Sequence, residues 1–429
     1  MTALRPCLRL LLIVAAPVSL LPAPARSEDP EEAKPLAIRG GTILTITDGV
    51  LREGTVLVED GRIAAIGSSV SIPEGAQIIE AAGKVVMPGF IAARMSGVAS
   101  AREGKVADAL DAYGSAVSFA LASGVTAAYV QVGEPGDQPT GGSNAVVKLI
   151  EGDPAAMLVR EPVAVNIVYS NRAPRLKAML RQSLAGAQRY LRRKAQYEQD
   201  KAAGKQVEEP AAPPGAEPLV KLLTRELPAR LSASSANDIL AALELVDDFG
   251  LRMILDDVVE GWTVPEAIAR RQVEVVVAPR QQQEPDRFRS APSGSSSRQA
   301  AVLSQAGVRL AIVPLDPSFQ AYNMLMEGNL FTLQLEAALA VGGGLDEAAA
   351  LQAVTLGPAA MLGVADRMGS LQVGKDADII ILDGHPLHYR TLVDLTVVNG
   401  RVVYDRSKST YFSDIPPRPD GGDAVEEQQ

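Results

Sequence analysis

The sequence contains few of the side chains that most often perform catalysis. Among its 429 residues there are two histidines, His385 and His388, and one cysteine. The two histidines lie three positions apart, far along the chain from the other candidate residues. Without further nitrogen or sulfur donors they are weak candidates for a metal site, and we expect them to be loop or surface histidines. They are also badly placed to activate Ser232 or Ser234 as a nucleophile.

Carboxylates are the remaining candidate ligands. Asp256, Asp257 and Glu260 follow one apolar run, and Asp316 follows another. Mg²⁺ and Ca²⁺ prefer oxygen ligands, so these four acids form one candidate cation site. Adjacent acids at a strand end point to opposite sides, which favours the alternative that they do not share a ligand.

Two further patterns have both a functional and a structural interpretation. Gly141-Gly142-Ser143-Asn144 precedes a stretch that we interpret as helical, and it could bind an anion at a helix N-terminus. The alternative, which we favour, is a loop followed by a helix N-cap. Lys148 lies within the stretch 144–151, and we expect it to be an ordinary surface lysine.

The composition limits the class of protein. Hydrophobic residues make up 47% of the sequence, which excludes a disordered chain and suffices for a large core in about two to three domains. Acids outnumber lysine and arginine by 51 to 41, giving a formal charge of −10. A nucleic-acid-binding protein is not expected, because neutralising phosphates requires an excess of basic side chains.

The two ends of the sequence have patterns typical of a signal peptide and of a disordered tail. Arg5 and Arg9 precede an apolar run, 10–21, and small residues follow it. This pattern predicts a signal peptide over residues 1–27 and a secreted or periplasmic protein, with an uncleaved anchor as the alternative. The acidic, proline-rich segment 413–429 is predicted to be disordered.

Two separated segments have the pattern of β-structure. Residues 36–88 contain short apolar runs divided by turns such as Asp60-Gly61, and residues 368–406 repeat this pattern around Asn399-Gly400. Asp-Gly and Asn-Gly between apolar runs indicate tight hairpins. We predict a small antiparallel β unit from the first segment and further strands from the second.

Residues 89–367 alternate apolar strands with amphipathic helices, which predicts an α/β fold. This pattern fits a (β/α)₈ barrel, and a doubly wound open sheet is the alternative with the same local signals. We expect an active-site cover or a mobile connection at the polar loop 281–298. The seven predicted strands, with the eighth unplaced, are Val85–Ile91, Val125–Val132, Pro162–Tyr169, Leu227–Ser232, Arg252–Asp256, Val273–Ala278 and Val308–Leu315.

The motifs at the two ends of this α/β region resemble those of the amidohydrolase superfamily, in particular its imidazolonepropionase-like members. The opening motif contains Gly61-Arg62-Ile63 and the run 83–91, G-K-V-V-M-P-G-F-I; the closing motif contains 374–378, G-K-D-A-D, and 398–403, V-N-G-R-V-V. The resemblance implies a TIM-like barrel flanked by a composite β-sandwich, built from residues 36–88 and 368–406.

The resemblance also implies a metal centre at the carboxyl ends of the barrel strands. Active members hold one or two divalent ions, zinc among them, mainly through histidines, and the metal activates a water molecule for attack on an amide or ester carbon. The matching positions in this sequence carry Arg94 and Ser96, then Ser232 and Ser234, then Asp257. A fixed positive charge at position 94 repels a cation. No resident metal or other cofactor is therefore expected.

Two more positions are assigned through the same resemblance. Asp316 matches the catalytic aspartate near the last strand, although a shift of one residue would place Leu315 there instead. Trp262 follows the third altered position, so we expect it to line the former pocket, with Asp256 and Glu260, or simply to pack.

These observations predict an exported, amidohydrolase-like protein that has lost catalysis. We expect a partner subunit, either in a homo-oligomer or paired with an active relative, or a binding protein for a small anionic ligand. The alternative is an active hydrolase of C–N or related bonds that uses a carboxylate-bound metal or no metal.

Overall fold

The computed structural model describes residues 34–314 and 328–416. Residues 1–27 and Asp316 lie outside this range, as does the tail from 417 onward. In chain order the strands are β1 Leu36–Leu44, β2 Val50–Glu59, β3 Arg62–Gly67, β4 Gln77–Glu80, β5 Val85–Pro88, β6 Phe90–Met95, β7 Val125–Val132, β8 Ser143–Lys148, β9 Leu158–Arg160, β10 Val165–Asn166, β11 Ala229–Ser232, β12 Met253–Asp256, β13 Glu274–Val277, β14 Leu310–Ile312, β15 Ile379–Leu382, β16 Val393–Val398 and β17 Arg401–Asp405.

The α-helices lie mainly between the strands of the middle region. None of those in the described ranges is both long enough and apolar enough to cross a membrane. In chain order they are α1 Ser115–Ala122, α2 Pro154–Met157, α3 Pro174–Ala202, α4 Ala216–Leu223, α5 Ala236–Phe249, α6 Pro265–Arg270, α7 Gln299–Gln305, α8 Gly328–Gly342, α9 Glu347–Ala353 and α10 Leu356–Met361.

Strands from both predicted β segments form one eight-stranded sheet. Its order is β17-β16-β15-β5-β1-β2-β3, and β4 also pairs with β1. The two segments meet where β5 pairs with β15, with Val85 opposite Leu382. We had predicted a purely antiparallel unit for residues 36–88. This prediction was wrong, because β4 and β5 both run parallel to β1.

The middle region has two further sheets. One has the order β10-β11-β12-β13-β14 with every pairing parallel, and the other has the order β6-β7-β8-β9. Side chains from β6, β12, β13 and β14 pack in one buried apolar cluster, which includes Ala93, Ile254, Val276 and Ala311. Hydrogen-bonded pairing among the described strands leaves the two sheets open, so strand pairing alone does not establish a closed barrel.

Helix α5 shows how the sequence positions the site, because it connects β11 to β12. The Ser235 side chain accepts a hydrogen bond from the Asp238 backbone N–H, and Gly250 ends the helix in the left-handed conformation. Both residues are typical at these two positions. The buried face of the helix, which includes Leu243, returns the chain to begin β12 beside β11.

The prediction of a helix over residues 144–151 was wrong. Residues Ser143–Lys148 form β8, which pairs antiparallel with β7 and has Lys148 opposite Ala127. Three of the six residues in this run are Ala or Val, and β7 offers an apolar partner strand, so pairing over a distance decides the structure.

Candidate functional site

The altered positions implied by the family resemblance converge at the carboxyl ends of the parallel strands. Arg94 on β6 donates a hydrogen bond from Nη1 to Asp257 Oδ1 over 2.6 Å. Ser232, at the end of β11, donates from Oγ to the other oxygen of Asp257, Oδ2, over 2.7 Å. Asp257 follows β12 directly, and its backbone has a φ of 53°. One carboxylate thus links three separate strand ends.

A second ion pair lies directly behind this group and is buried. Arg230 on β11 donates from Nε and Nη2 to the two oxygens of Asp256, over 2.6 and 2.9 Å. Its Nη2 also donates to the Ala93 carbonyl oxygen over 2.8 Å. The guanidinium carbon lies 3.8 Å from the ring centroid of Tyr129, a cation–π contact. Arg230 therefore connects β6 and β7 to β11 and β12.

The charges and hydrogen bonds around the Arg94–Asp257 and Arg230–Asp256 pairs favour the ionised forms of these side chains. Burial raises the pKa of Asp257, but the charge of Arg94 and the hydrogen bonds from Ser232 and Arg94 outweigh this effect, and the pKa is lowered overall. Burial works against the charge of Arg230, yet Asp256 outweighs it and the pKa of Arg230 is raised. Burial raises the pKa of Tyr129 to about 12, so its hydroxyl stays protonated and donates to Asn166 Oδ1 over 3.0 Å.

An open cavity of about 850 Å³ lies beside Arg94. Polar side chains are prominent in its lining, and they include Arg94, Ser96, Arg102, Gln131 and Glu134. The Nε of Arg94 is buried and has no hydrogen-bond partner among the described residues. This cavity, hereafter the carboxyl-edge cavity, therefore carries the cationic side chain of Arg94 in its lining.

Glu260 and Trp262 were our candidates for lining the former pocket, with simple packing as the alternative for Trp262, and both contact the polar loop 281–298. Glu260 is 1% exposed and accepts hydrogen bonds from the backbone N–H groups of Ala236 and Gly294. It also accepts from Arg289 Nη1 over 3.1 Å, and Trp262 Nε1 donates to the Gly294 carbonyl oxygen over 2.9 Å. These two side chains hold the polar loop 281–298 against the strand ends.

Other predicted site residues do not meet the carboxyl-edge cavity. Ser234 contributes its carbonyl oxygen, which accepts from the Val259 and Glu260 backbone N–H groups. The two histidines take part in turns, where the Nδ1 of His385 accepts from the Leu387 N–H and that of His388 from the Arg390 N–H, each over 3.2 Å.

Lys148 is not the surface residue that we had predicted. It is 1% exposed, and its Nζ lies 2.8 Å from Asp376 and 2.8 Å from Asp378. It also donates to the side chain of Asn399. All three partners belong to the closing sequence motif, so this buried cluster joins the middle region to the eight-stranded sheet.

Both interpretations of Gly141-Gly142-Ser143-Asn144, the anion site and the favoured loop with a helix N-cap, were wrong, because a strand and not a helix follows this segment. Gly142 has a φ of 72°, and a Cβ there would lie 2.8 Å from the Gly133 carbonyl oxygen. Close approach of two backbones therefore explains the glycine. Asn144 is buried and binds the Val163 and Ala164 backbone.

The described side chains do not fit a divalent metal at this edge. Both oxygens of Asp256 and both of Asp257 already accept from arginine or serine donors. Glu260 accepts from loop donors. Across residues 34–314 and 328–416, no three His, Cys, Asp or Glu side chains are grouped so that they could hold a metal ion. A guanidinium supplies the positive charge at this edge instead.

This α/β architecture is shared with known proteins. An amidohydrolase from Thermotoga maritima superposes with a TM-score of 0.70, covering 86% of this chain and all of that one at 23% sequence identity. The imidazolonepropionase of Thermoplasma acidophilum is 36% identical over 62 residues, and the dihydroorotase of Pelotomaculum thermopropionicum is 41% identical over 56. These matches cover 13% of this chain in each case, and 15% and 13% of the relatives' own lengths.

Residues 266–404 also match the sequence profile of the Amidohydrolase family. This match covers about a third of the chain, and together with the shared fold it makes the chain similar to members of the amidohydrolase superfamily. The short matches to an imidazolonepropionase and a dihydroorotase do not distinguish between those two activities.

Sequence reasoning missed Arg230 and Tyr129 as members of the site. The available signal was Arg230 between the apolar residues Ala229 and Leu231, since buried arginine is rare without a partner. Tyr129 gave no such signal, because a tyrosine in an apolar strand fits ordinary packing.

Proposed function

We propose that this protein is an amidohydrolase-superfamily member that binds a small carboxylate-bearing ligand in the carboxyl-edge cavity and carries out no metal-dependent hydrolysis. The observation that supports the proposal most directly is the 2.6 Å contact between Arg94 Nη1 and Asp257 Oδ1. A cation and its counter-ion already occupy the place where a metal and its ligand would be expected.

The carboxyl-edge cavity suits an anion better than a neutral ligand. The side chain of Arg94 is 26% exposed, and Arg102 adds a second positive charge to a lining that contains one acid, Glu134. Ser96 and Gln131 add polar groups. A planar guanidinium binds a carboxylate through paired hydrogen bonds, and such charge-assisted bonds are the stronger class.

The binding proposal is tested by thermal unfolding in the presence of succinate and benzoate, with imidazole as the neutral probe. A ligand at ten times its Kd stabilises the folded state by about 1.4 kcal/mol, so the carboxylates should raise the Tm. Arg94→Met should abolish this rise. Arg39→Met, which removes an exposed ion pair with Glu80 in the eight-stranded sheet, should leave the rise in Tm unchanged. A rise that persists in Arg94→Met would overturn the assignment.

The rival function is an active hydrolase of C–N or related bonds that uses a carboxylate-bound metal or no metal. Family membership agrees equally well with that function. Elemental analysis of the purified protein separates the metal-dependent version from our proposal, because a stoichiometric divalent ion would contradict the ion-pair arrangement. Hydrolysis of amide substrates that survives Arg94→Met but not removal of Asp257 would favour the enzyme.

Three further expectations complete the proposal. The parallel strands close into a (β/α)₈ barrel, which the likeness to the Thermotoga maritima fold supports. The protein is exported, and cell fractionation tests this location. It assembles with itself or with an active relative, and light scattering of the protein alone and mixed with such relatives tests that assembly.

A further inference from the structure

The opposite edge of the parallel sheet carries a separate basic cavity of about 350 Å³. Four arginines line it, namely Arg225, Arg252, Arg271 and Arg309, and one acid, Glu274, accompanies them. They surround the amino ends of neighbouring strands, since Arg252 precedes β12 and Arg309 precedes β14. We name this the amino-edge cavity.

Two of the four arginines are neutralised within the protein. Arg271 forms paired hydrogen bonds with Asp247, over 2.8 and 2.6 Å. Arg309 forms an ion pair with Glu274, which is 7% exposed. These contacts fix the walls of the cavity and leave little donor capacity for a ligand.

The other two arginines have no such partner. Arg225 and Arg252 make no ion pair or side-chain hydrogen bond with any residue in the described ranges. The amino-edge cavity thus has two uncompensated positive charges, whereas the whole chain has a formal charge of −10. A local excess of this sign attracts anions.

The two cavities are distinct sites. Arg252 immediately precedes β12 and Asp256 ends it, so four positions of extended chain separate them by about 13 Å. A ligand in the amino-edge cavity therefore does not depend on Arg94, and the proposal below stands apart from the proposed function.

We propose that the amino-edge cavity binds the phosphate group of a small phosphorylated compound. A phosphate monoester carries a charge of about −1.5 to −2 at pH 7, which matches two uncompensated guanidinium groups. Its oxygens accept paired hydrogen bonds from the rigid arginine fork. A single carboxylate would neutralise only one of the two charges, and the cavity has room beyond the phosphate for a small organic part.

The test is calorimetric titration of the full chain with inorganic phosphate and with glycerol phosphate, and with acetate as the monoanion. Phosphate or its ester should bind more tightly than acetate, and more tightly at 50 mM than at 300 mM NaCl. Tighter binding of glycerol phosphate identifies an ester as the ligand, whereas equal binding identifies free phosphate. Absence of phosphate binding, or acetate binding as tightly as phosphate, would overturn the proposal.

Variants locate the site. Arg225→Gln and Arg252→Gln should each weaken phosphate binding by about tenfold or more, because hydrogen bonds to charged groups have that strength. Arg270→Gln is the matched control, since Arg270 is exposed and does not line the cavity. Arg225 is exposed, so its substitution keeps the test valid if Arg252→Gln fails to fold. Unchanged affinity in Arg225→Gln, or lost affinity in Arg94→Gln, would place the site elsewhere.

Discussion

Removal of the buried Lys148 ammonium group should cost the protein several kcal/mol. In Lys148→Met, Asp376 keeps Arg367, whose Nη2 lies 2.7 Å away. Asp378 is 4% exposed and loses its counter-ion, and among the described residues its side chain retains only the hydrogen bond from the Asn399 backbone N–H. Removing one partner of a buried pair typically costs about 3–5 kcal/mol.

The protonation of Asp378 sets an upper limit on this loss. Burial raises the pKa of Asp378 even beside Lys148, and without the lysine the pKa rises further. Protonating a carboxyl of ordinary pKa 3.9 at pH 7 costs about 4 kcal/mol, at 1.36 kcal/mol for each pH unit. We therefore expect a loss of about 3–4 kcal/mol at pH 7.

The same argument predicts how the loss changes with pH. In the variant the folded state binds a proton that the unfolded state does not, so its stability rises relative to the wild type as the pH falls. The difference should shrink by up to about 1.4 kcal/mol per unit between pH 7 and pH 5.

Urea unfolding followed by circular dichroism measures both effects. Lys375→Met is the matched control, because Lys375 is only partly buried and donates to Ser370 Oγ over 2.7 Å. It should lose less than about 1 kcal/mol. A loss below about 1 kcal/mol in Lys148→Met, or a loss independent of pH, would refute the reasoning.

Two further predictions concern the strand-end ion pairs. Arg230→Met leaves Asp256 buried without its counter-ion and should lower the free energy of unfolding in urea by about 3–5 kcal/mol. Arg271→Met removes one partner of an exposed ion pair and should have little effect. Equal losses of stability in the two variants would contradict the role of burial. The lowered pKa of Asp257 means that its stabilisation is complete above about pH 4 and is lost as the pH falls through the folded-state pKa. The difference in unfolding free energy between the wild type and Asp257→Asn should accordingly stay constant from pH 6 to pH 4 and shrink below it, and constancy down to pH 3 would count against the Arg94 pairing.

Much of the fold could be predicted from the sequence, because local signals and buried apolar runs agree. The turns at Asp60-Gly61 and Asn399-Gly400 both lie between paired antiparallel strands. Runs such as Val273–Ala278 coincide with strands of the parallel sheet. The β8 strand was mistaken for a helix, since its pairing with β7 is not encoded within its own six residues.

The candidate site was harder to predict than the fold. Arg94, Ser232 and Asp257 were selected one at a time, through the family resemblance, and their mutual hydrogen bonds appear only once three strands meet. Lys148 could not be placed because its carboxylate partners lie 228 and 230 positions further along the sequence.

The pairing of β5 with β15 has a consequence for synthesis and for truncation. About 300 residues separate the two strands, and closing so long a loop delays their association until the last part of the chain is available. A nascent chain released early, or a product cut before residue 379, would leave the backbone edge of β5 unpaired and able to pair with a strand of another chain. The ribosome must therefore finish nearly the whole polypeptide before its first strands are fully covered.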